Sequence, residues 1–112
     1  MVTPALVEAR RLAQLRELQL RWEDGHQAQI PWRILRGFCP CAGCQGHHAA
    51  AITFRPAGDP DLESVAAVGT YALSLGFADG HGTGIYSFDL LRRMCPCDSC
   101  TASVGPVEHR SL

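Results

Sequence analysis

WEDGHQAQIPWRILRGFCPCAGC, residues 22–44, and FADGHGTGIYSFDLLRRMCPCDSC, residues 77–100, align with a single inserted residue. Trp22 stands opposite Phe77, and Asp24-Gly25-His26 opposite Asp79-Gly80-His81. Ile30 meets Ile85. After the insertion Ile34-Leu35-Arg36 meets Leu90-Leu91-Arg92, and the triplets Cys39/Cys41/Cys44 and Cys95/Cys97/Cys100 fall in register. Two copies are too few for a solenoid, which needs at least three stacked units. The similarity therefore points to one pseudo-symmetric domain with an internal repeat.

Each copy carries the same local physics. Leu18, Leu20 and Trp22 alternate with Gln19 and Arg21, and Tyr71, Leu73, Leu75 and Phe77 alternate with Ala72, Ser74 and Gly76. Period two is the signature of a half-buried strand, because successive side chains point to opposite faces. Each strand runs into Asp-Gly, a hairpin signal, since glycine takes positive φ at little cost. A short return strand is predicted over Gln27–Ile30 and over Thr83–Tyr86, then one or two helical turns over Trp32–Arg36 and Phe88–Arg93. A further strand is predicted over Glu63–Val68, and residues 55–61 (RPAGDPD) read as a loop on their Pro and Gly content. At the N-terminus Thr3 can cap a helix with Pro4 at its first position and Val2 facing Val7. Leu6, Ala9, Leu12 and Ala13 would form its apolar stripe through about Arg16, docking on the sheet. Residues beyond Cys100 read as a loosely ordered tail. The fold class expected is α+β: a small single domain of antiparallel hairpins, short helices and an N-terminal helix.

The bulk properties exclude several functions. The chain has 112 residues, one domain of ordinary size. Its formal charge is -1, from 10 basic side chains, every one Arg, and 11 acidic ones, so no basic excess attracts nucleic acid or anionic lipid. No apolar run reaches membrane-spanning length. Glu8 and Glu17 interrupt what would otherwise resemble an Arg-rich targeting segment, and no secretory h-region is visible. The expectation is a cytoplasmic protein that uses neither nucleic acid nor membrane, and whose partner is an unknown protein.

Six cysteines in two tight C-x-C-x-x-C triplets suit a metal better than a disulfide framework. In the first, Pro40 fixes φ between two ligands and Gly43 permits the close turn before the third. A structural zinc site is tetrahedral with all positions filled, so three thiolates call for one more donor. His47, His48 and His81 are available. Spacing alone favours His47. The rigid Asp-Gly turn favours His81, and a distant ligand also closes a longer loop. For the second triplet, internal symmetry nominates His26 as the counterpart of His81, with His109 as a local competitor. The arrangement would be crossed, each hairpin histidine serving the other copy's cysteines. Against it stands a set of thiols near the C-terminus that are free or oxidised.

The segments W-x-D-G, C-P-C-A-x-C-x-G-H and F-x-D-G-H-x-T-G-I-Y-S-F-D-x-L-R resemble the domain family named for the N-terminus of gamma-butyrobetaine hydroxylase, over about residues 15–100. The resemblance implies one Zn2+ held by Cys39, Cys41, Cys44 and His81; beyond that pattern, the internal symmetry makes Cys95, Cys97, Cys100 and His26 a possible second metal site. Residues 1–17 then read as a helical extension, 18–100 as the zinc-binding domain that the resemblance implies, and 101–112 as a tail. Related domains occur fused to P-loop ATPases of iron–sulfur assembly, so an iron–sulfur cluster carrier or assembly accessory is the alternative to a protein-interaction or scaffold module. The resemblance covers only the non-catalytic domain. No H-x-D or H-x-E occurs, so neither the two-His-one-carboxylate iron site of the oxygenase nor the H-x-E of zinc deaminases is written here. No enzyme activity and no catalytic residue are expected.

Overall fold

Leu18, Leu20 and Trp22 are buried while Arg21 is exposed, and this alternation makes Glu17–Trp22 the central strand of a sheet. The structure, a computed structural model, describes residues 3–41, 45, 51–80 and 84–112. Strands β1 (Leu6–Leu12), β2 (Glu17–Trp22) and β3 (Gln27–Pro31) form one antiparallel sheet in that order, followed by helix α1 (Trp32–Gly37). Strands β4 (Leu62–Val68), β5 (Ala72–Phe77) and β6 (Gly84–Ser87) form a second three-stranded antiparallel sheet in the same order, followed by helix α2 (Phe88–Arg93). Helix α3 (Asp98–Val104) and a 3-10 turn (Val107–His109) complete the described chain. Among the described residues no helix is long and apolar enough to cross a membrane.

The expected N-terminal helix is a strand. Residues 6–12 pair with β2, from Leu6↔Trp22 to Leu12↔Glu17, with an irregularity between Leu6 and Glu8. That bulge is the reason for the misreading. One extra residue shifts the alternation, so Leu6 and Ala9, three apart, both pack on the core as they would on a helix face. Strand β4 carries the same device: a register shift between Leu62 and Ser64 turns Leu62 and Val65 to one side. Thr3 caps nothing; its hydroxyl donates to Asp89 Oδ1 at 3.1 Å. The residues after Cys100 also differ from expectation. They form α3 and the 3-10 turn, and Leu112 exchanges two backbone hydrogen bonds with Ile52, at 2.7 and 2.8 Å. Gly105, at φ 87°, ends α3 in a backbone region that favours glycine, and Val107 and Leu112 pack against the core.

The core lies between the two sheets and their helices. Its largest buried side chains are Trp22, Trp32, Phe38 and Tyr86, packed with aliphatic residues of β2, β3, α1 and β5. Trp22 meets Phe88 edge-on with ring centroids 6.2 Å apart, which ties β2 of one sheet to α2 beyond the other. Tyr86 on β6 donates its hydroxyl to the carbonyl of Leu35 in the last turn of α1, where carbonyls lack an intrahelical donor. Tyr86→Phe leaves that buried carbonyl without its donor. It is expected to lower stability by about 1–3 kcal/mol, read as an earlier urea midpoint with unchanged slope. A midpoint equal to the native one would mean that water replaces the hydroxyl.

Candidate metal centre

His26 is positioned by a hairpin. Gly25 takes φ 89° and donates to the Trp22 carbonyl at 3.0 Å, while Trp22 N donates to the His26 carbonyl at 2.9 Å. The turn therefore ends with the imidazole projecting from the start of β3. Asp24 holds the backbone that carries it: the His26 backbone N–H donates to Asp24 Oδ1 at 3.2 Å, and Asp24 is in turn gripped by Arg92 of α2 at 3.1 and 2.7 Å. The Arg92 guanidinium also lies 5.4 Å from the centre of a Trp22 ring. Its hydrogen bonds hold the Asp24 carboxyl at about 2, well below the usual range.

The second cysteine triplet follows α2 directly. Met94 and Cys95 close that helix by donating to the carbonyls of Leu91 and Arg92, at 3.2 and 3.4 Å. Pro96 then turns the chain, and Cys97 stands as the N-cap of α3, its carbonyl accepting from Thr101 N at 2.9 Å. The Thr101 hydroxyl donates to the Pro96 carbonyl at 3.3 Å and ties the first turn of α3 back to the knuckle. Cys100 sits in that same first turn, which returns its sulfur towards the other two.

The donor atoms of His26, Cys95, Cys97 and Cys100 all lie within 4.8 Å of one another. His26 Nε2 is 3.1 Å from Cys95 Sγ and 3.8 Å from Cys100 Sγ. A tetrahedron with Zn–S near 2.3 Å and Zn–N near 2.0 Å sets ligand–ligand separations of roughly 3.5–3.8 Å. The four groups thus form a set that can hold a metal ion, and three thiols with one imidazole are the donors that zinc takes. His109, the competitor, is outside this group and lies in the 3-10 turn beside Cys100 along a cavity of about 450 Å³.

The three thiols differ in how readily they ionise. Burial pushes Cys95 up to about 12, and burial also raises Cys100. Cys97 is drawn down to about 6, first by the Ser99 hydroxyl 3.5 Å away and then by the backbone N–H of Cys100. Two thiols that resist ionisation while protein alone surrounds them surrender their protons when a cation supplies the missing charge.

Of the first triplet the structure describes Cys39 and Cys41. Cys44 and His81 lie outside the described residues, as do His47 and His48. Cys39 is fully buried and Cys41 partly so, both packed with the core. Gln45 pins this knuckle, donating from Nε2 to the carbonyls of Cys39 at 3.1 Å and Thr53 at 3.0 Å, and from its backbone N–H to Cys41 O at 3.0 Å. A Cβ on Gly84 at the start of β6 would stand 3.4 Å from Cys39 Sγ, so the second hairpin's return strand passes close to the first triplet. Arg36 of α1 pairs with Asp79 at 2.9 Å, as Arg92 of α2 pairs with Asp24. Sequence reasoning missed Arg92 and Asp24 as supports of His26. It also missed Arg110, which is only 7% exposed and donates from Nη1 to the carbonyl of Cys95 at 2.7 Å.

A family model described as gamma-butyrobetaine hydroxylase-like, N-terminal, matches residues 10–92. Among solved structures, a protein of unknown function from Acidithiobacillus ferrooxidans ATCC 23270, described as a member of the DUF971 family, is 34% identical; the match covers 80% of this chain and 90% of that one, with a TM-score of 0.64. A protein solved by NMR in solution is 29% identical over 83% of this chain and 70% of its own, with a TM-score of 0.67. A second NMR structure, 24% identical over 96% of this chain and 92% of its own, shares the fold at a TM-score of 0.66. Comparison with curated proteins gave no match.

Proposed function

The chain belongs to the gamma-butyrobetaine hydroxylase-like N-terminal family, and from that premise we propose that it is a non-catalytic domain whose structure is stapled by zinc and whose role is to present a surface to a protein partner. The observation that carries this reading is the convergence of His26 from one hairpin with Cys95, Cys97 and Cys100 from the far end of the chain. A Cys3His set fills a zinc ion's four positions and leaves none for water or substrate, so the ion builds the fold rather than performing chemistry. A ligand 69 residues away from Cys95 also removes much freedom from the unfolded chain when the ion binds.

The internal repeat supplies the reason for crossing. Each Asp-Gly turn is bridged to the helix of the opposite sheet, Asp24 to Arg92 and Asp79 to Arg36. That exchange supports a two-fold arrangement in which His81 completes the set of Cys39, Cys41 and Cys44 as His26 completes the other. The nearness of Gly84 to Cys39 Sγ supports the same pairing. The domain then carries two zinc ions, one on each side of a shared core.

Elemental analysis and an absorbance spectrum of anaerobically purified protein test this. The expected result is two zinc per chain and no visible band, because zinc–thiolate centres are colourless. Iron with a brown chromophore would replace zinc by the cluster-carrier reading, and folded protein without metal would overturn both. A zinc-dependent hydrolysis of a test ester that disappears in Cys95→Ser would overturn the non-catalytic part.

A further inference from the structure

Arg110 is nine-tenths buried, 7% exposed, in a chain whose other arginines sit nearer the surface. A side chain of this kind is almost never fully buried without a partner for its charge. Its donors are largely engaged by backbone carbonyls: Nε donates to Gly105 at 3.0 Å, and Nη1 to Arg93 at 3.0 Å and Cys95 at 2.7 Å. Carbonyls satisfy hydrogen bonds and leave the positive charge uncompensated. No carboxylate pairs with Arg110 among the described residues. Nη2 is buried and makes no hydrogen bond at all. A buried cation with a spare N–H is costly to keep unless a negative group belongs beside it.

The group in that position is the second cysteine knuckle. Arg110 holds the carbonyl of Cys95, and it shares the lining of one cavity with Cys100. Arg92 also borders the knuckle, but Asp24 grips its guanidinium and offsets its charge. Three thiolates, one neutral imidazole and a divalent ion sum to one negative charge. One buried guanidinium is the matching cation, and its free N–H is the kind of donor that a metal-bound sulfur accepts. Arginine suits this better than lysine, because a fixed fork can grip three carbonyls from Nε and Nη1 and still keep Nη2 as a further donor.

We propose that Arg110 is the counter-ion and positioning residue of the His26–Cys95–Cys97–Cys100 centre, holding the knuckle by its carbonyls and leaving Nη2 as the one donor still available to a metal-bound thiolate. This rests on the reading of those four residues as a metal centre. It adds a fifth residue to the centre, one that touches no metal and acts through the sulfurs and the backbone that carries them.

The test compares the native chain, Arg110→Met, Arg110→Lys and Cys95→Ser, each loaded with cobalt(II) for spectroscopy and with zinc for competition against a chromophoric chelator. In Arg110→Met the dissociation constant of this site should rise about 10- to 100-fold, as for other groups that orient metal ligands. Its thiolate-to-cobalt charge-transfer bands should move to lower energy, because a sulfur that loses a hydrogen bond gives up charge more easily. Arg110→Lys should recover most of the affinity while its bands stay shifted. Native affinity with native bands in Arg110→Met would overturn the role. Should that variant fail to fold, Arg110→Lys decides: shifted bands support the donor, and native bands overturn it. A native chain whose cobalt spectrum is unchanged by Cys95→Ser would overturn the metal centre itself, and the role of Arg110 with it.

Discussion

Cys95→Ser is expected to remove one zinc per chain and to lower the melting temperature by on the order of 15 °C. Cys95 is 1% exposed and its sulfur lies 3.1 Å from His26 Nε2, so it stands where the β2–β3 hairpin meets the second cysteine knuckle. Serine nearly preserves the shape of the side chain. Its hydroxyl does not ionise near neutral pH and supplies no anion to the metal, and two thiolates with one imidazole hold zinc far less tightly than three with one. An ion present at a thousand times its dissociation constant stabilises the folded state by about 4 kcal/mol. That linkage free energy is what the substitution removes, and it exceeds the cost of exchanging a buried S–H for O–H, about 1 kcal/mol. The two effects separate in chelator, where native and variant proteins both lose their metal. The gap between their melting temperatures should then shrink to a few degrees. A gap that chelator leaves unchanged would assign the whole effect to packing, and an unchanged zinc content would place the metal elsewhere.

The elements that the sequence displays best are those whose burial follows a simple period. β2 alternates cleanly and β5 does so from Leu73 to Phe77, although Ala72 before it is buried and Tyr71 is exposed; the Asp-Gly turns carry glycines at φ 89° and 86°, and α1 and α2 follow at the expected places. β1 was hidden because a bulge converts period two into a spacing of three, and Thr3-Pro4 then imitated a helix start. Only the unpaired edge of β2 distinguishes the two readings, and that edge is a tertiary fact. The end of the chain was hidden for a different reason. What fixes it is a guanidinium on backbone carbonyls and a bridge from Leu112 to Ile52, and backbone groups leave no trace in residue identity. Gly105 followed by Pro106 is a helix-ending signal that was there to be read. Of the candidate centre, the cysteines show themselves by spacing. His26 becomes visible only by laying one copy over the other, since nothing near residue 95 names it. Asp24 and Arg92 are written in both copies, yet their pairing across the two sheets depends on how the copies face each other.

Trp22→Ala is expected to cost about 3–5 kcal/mol, the range for truncating a large aromatic in a packed core, while Trp22→Phe costs about 1–2 kcal/mol. Trp22 is 2% exposed and joins three structural levels at once. Its backbone closes the turn that presents His26, its ring meets Phe88 edge-on, and its face carries the guanidinium of Arg92. The small penalty for phenylalanine follows from two observations. The indole Nε1 is buried without a hydrogen-bond partner, so removing it breaks no bond. Phe77 fills the corresponding position of the second copy. Urea unfolding of both variants checks the order, and equal losses would mean that the indole N–H is bonded to water. The alanine variant should also hold zinc less tightly at the second knuckle. Without the ring beneath it Arg92 loses its seat, and Asp24, which holds the backbone of His26, loses its grip on α2. Trp22→Phe keeps an aromatic face there and should retain zinc nearly as the native chain does. Equal zinc affinity in the alanine and native proteins would separate the core from the metal centre and leave the hairpin alone to place His26.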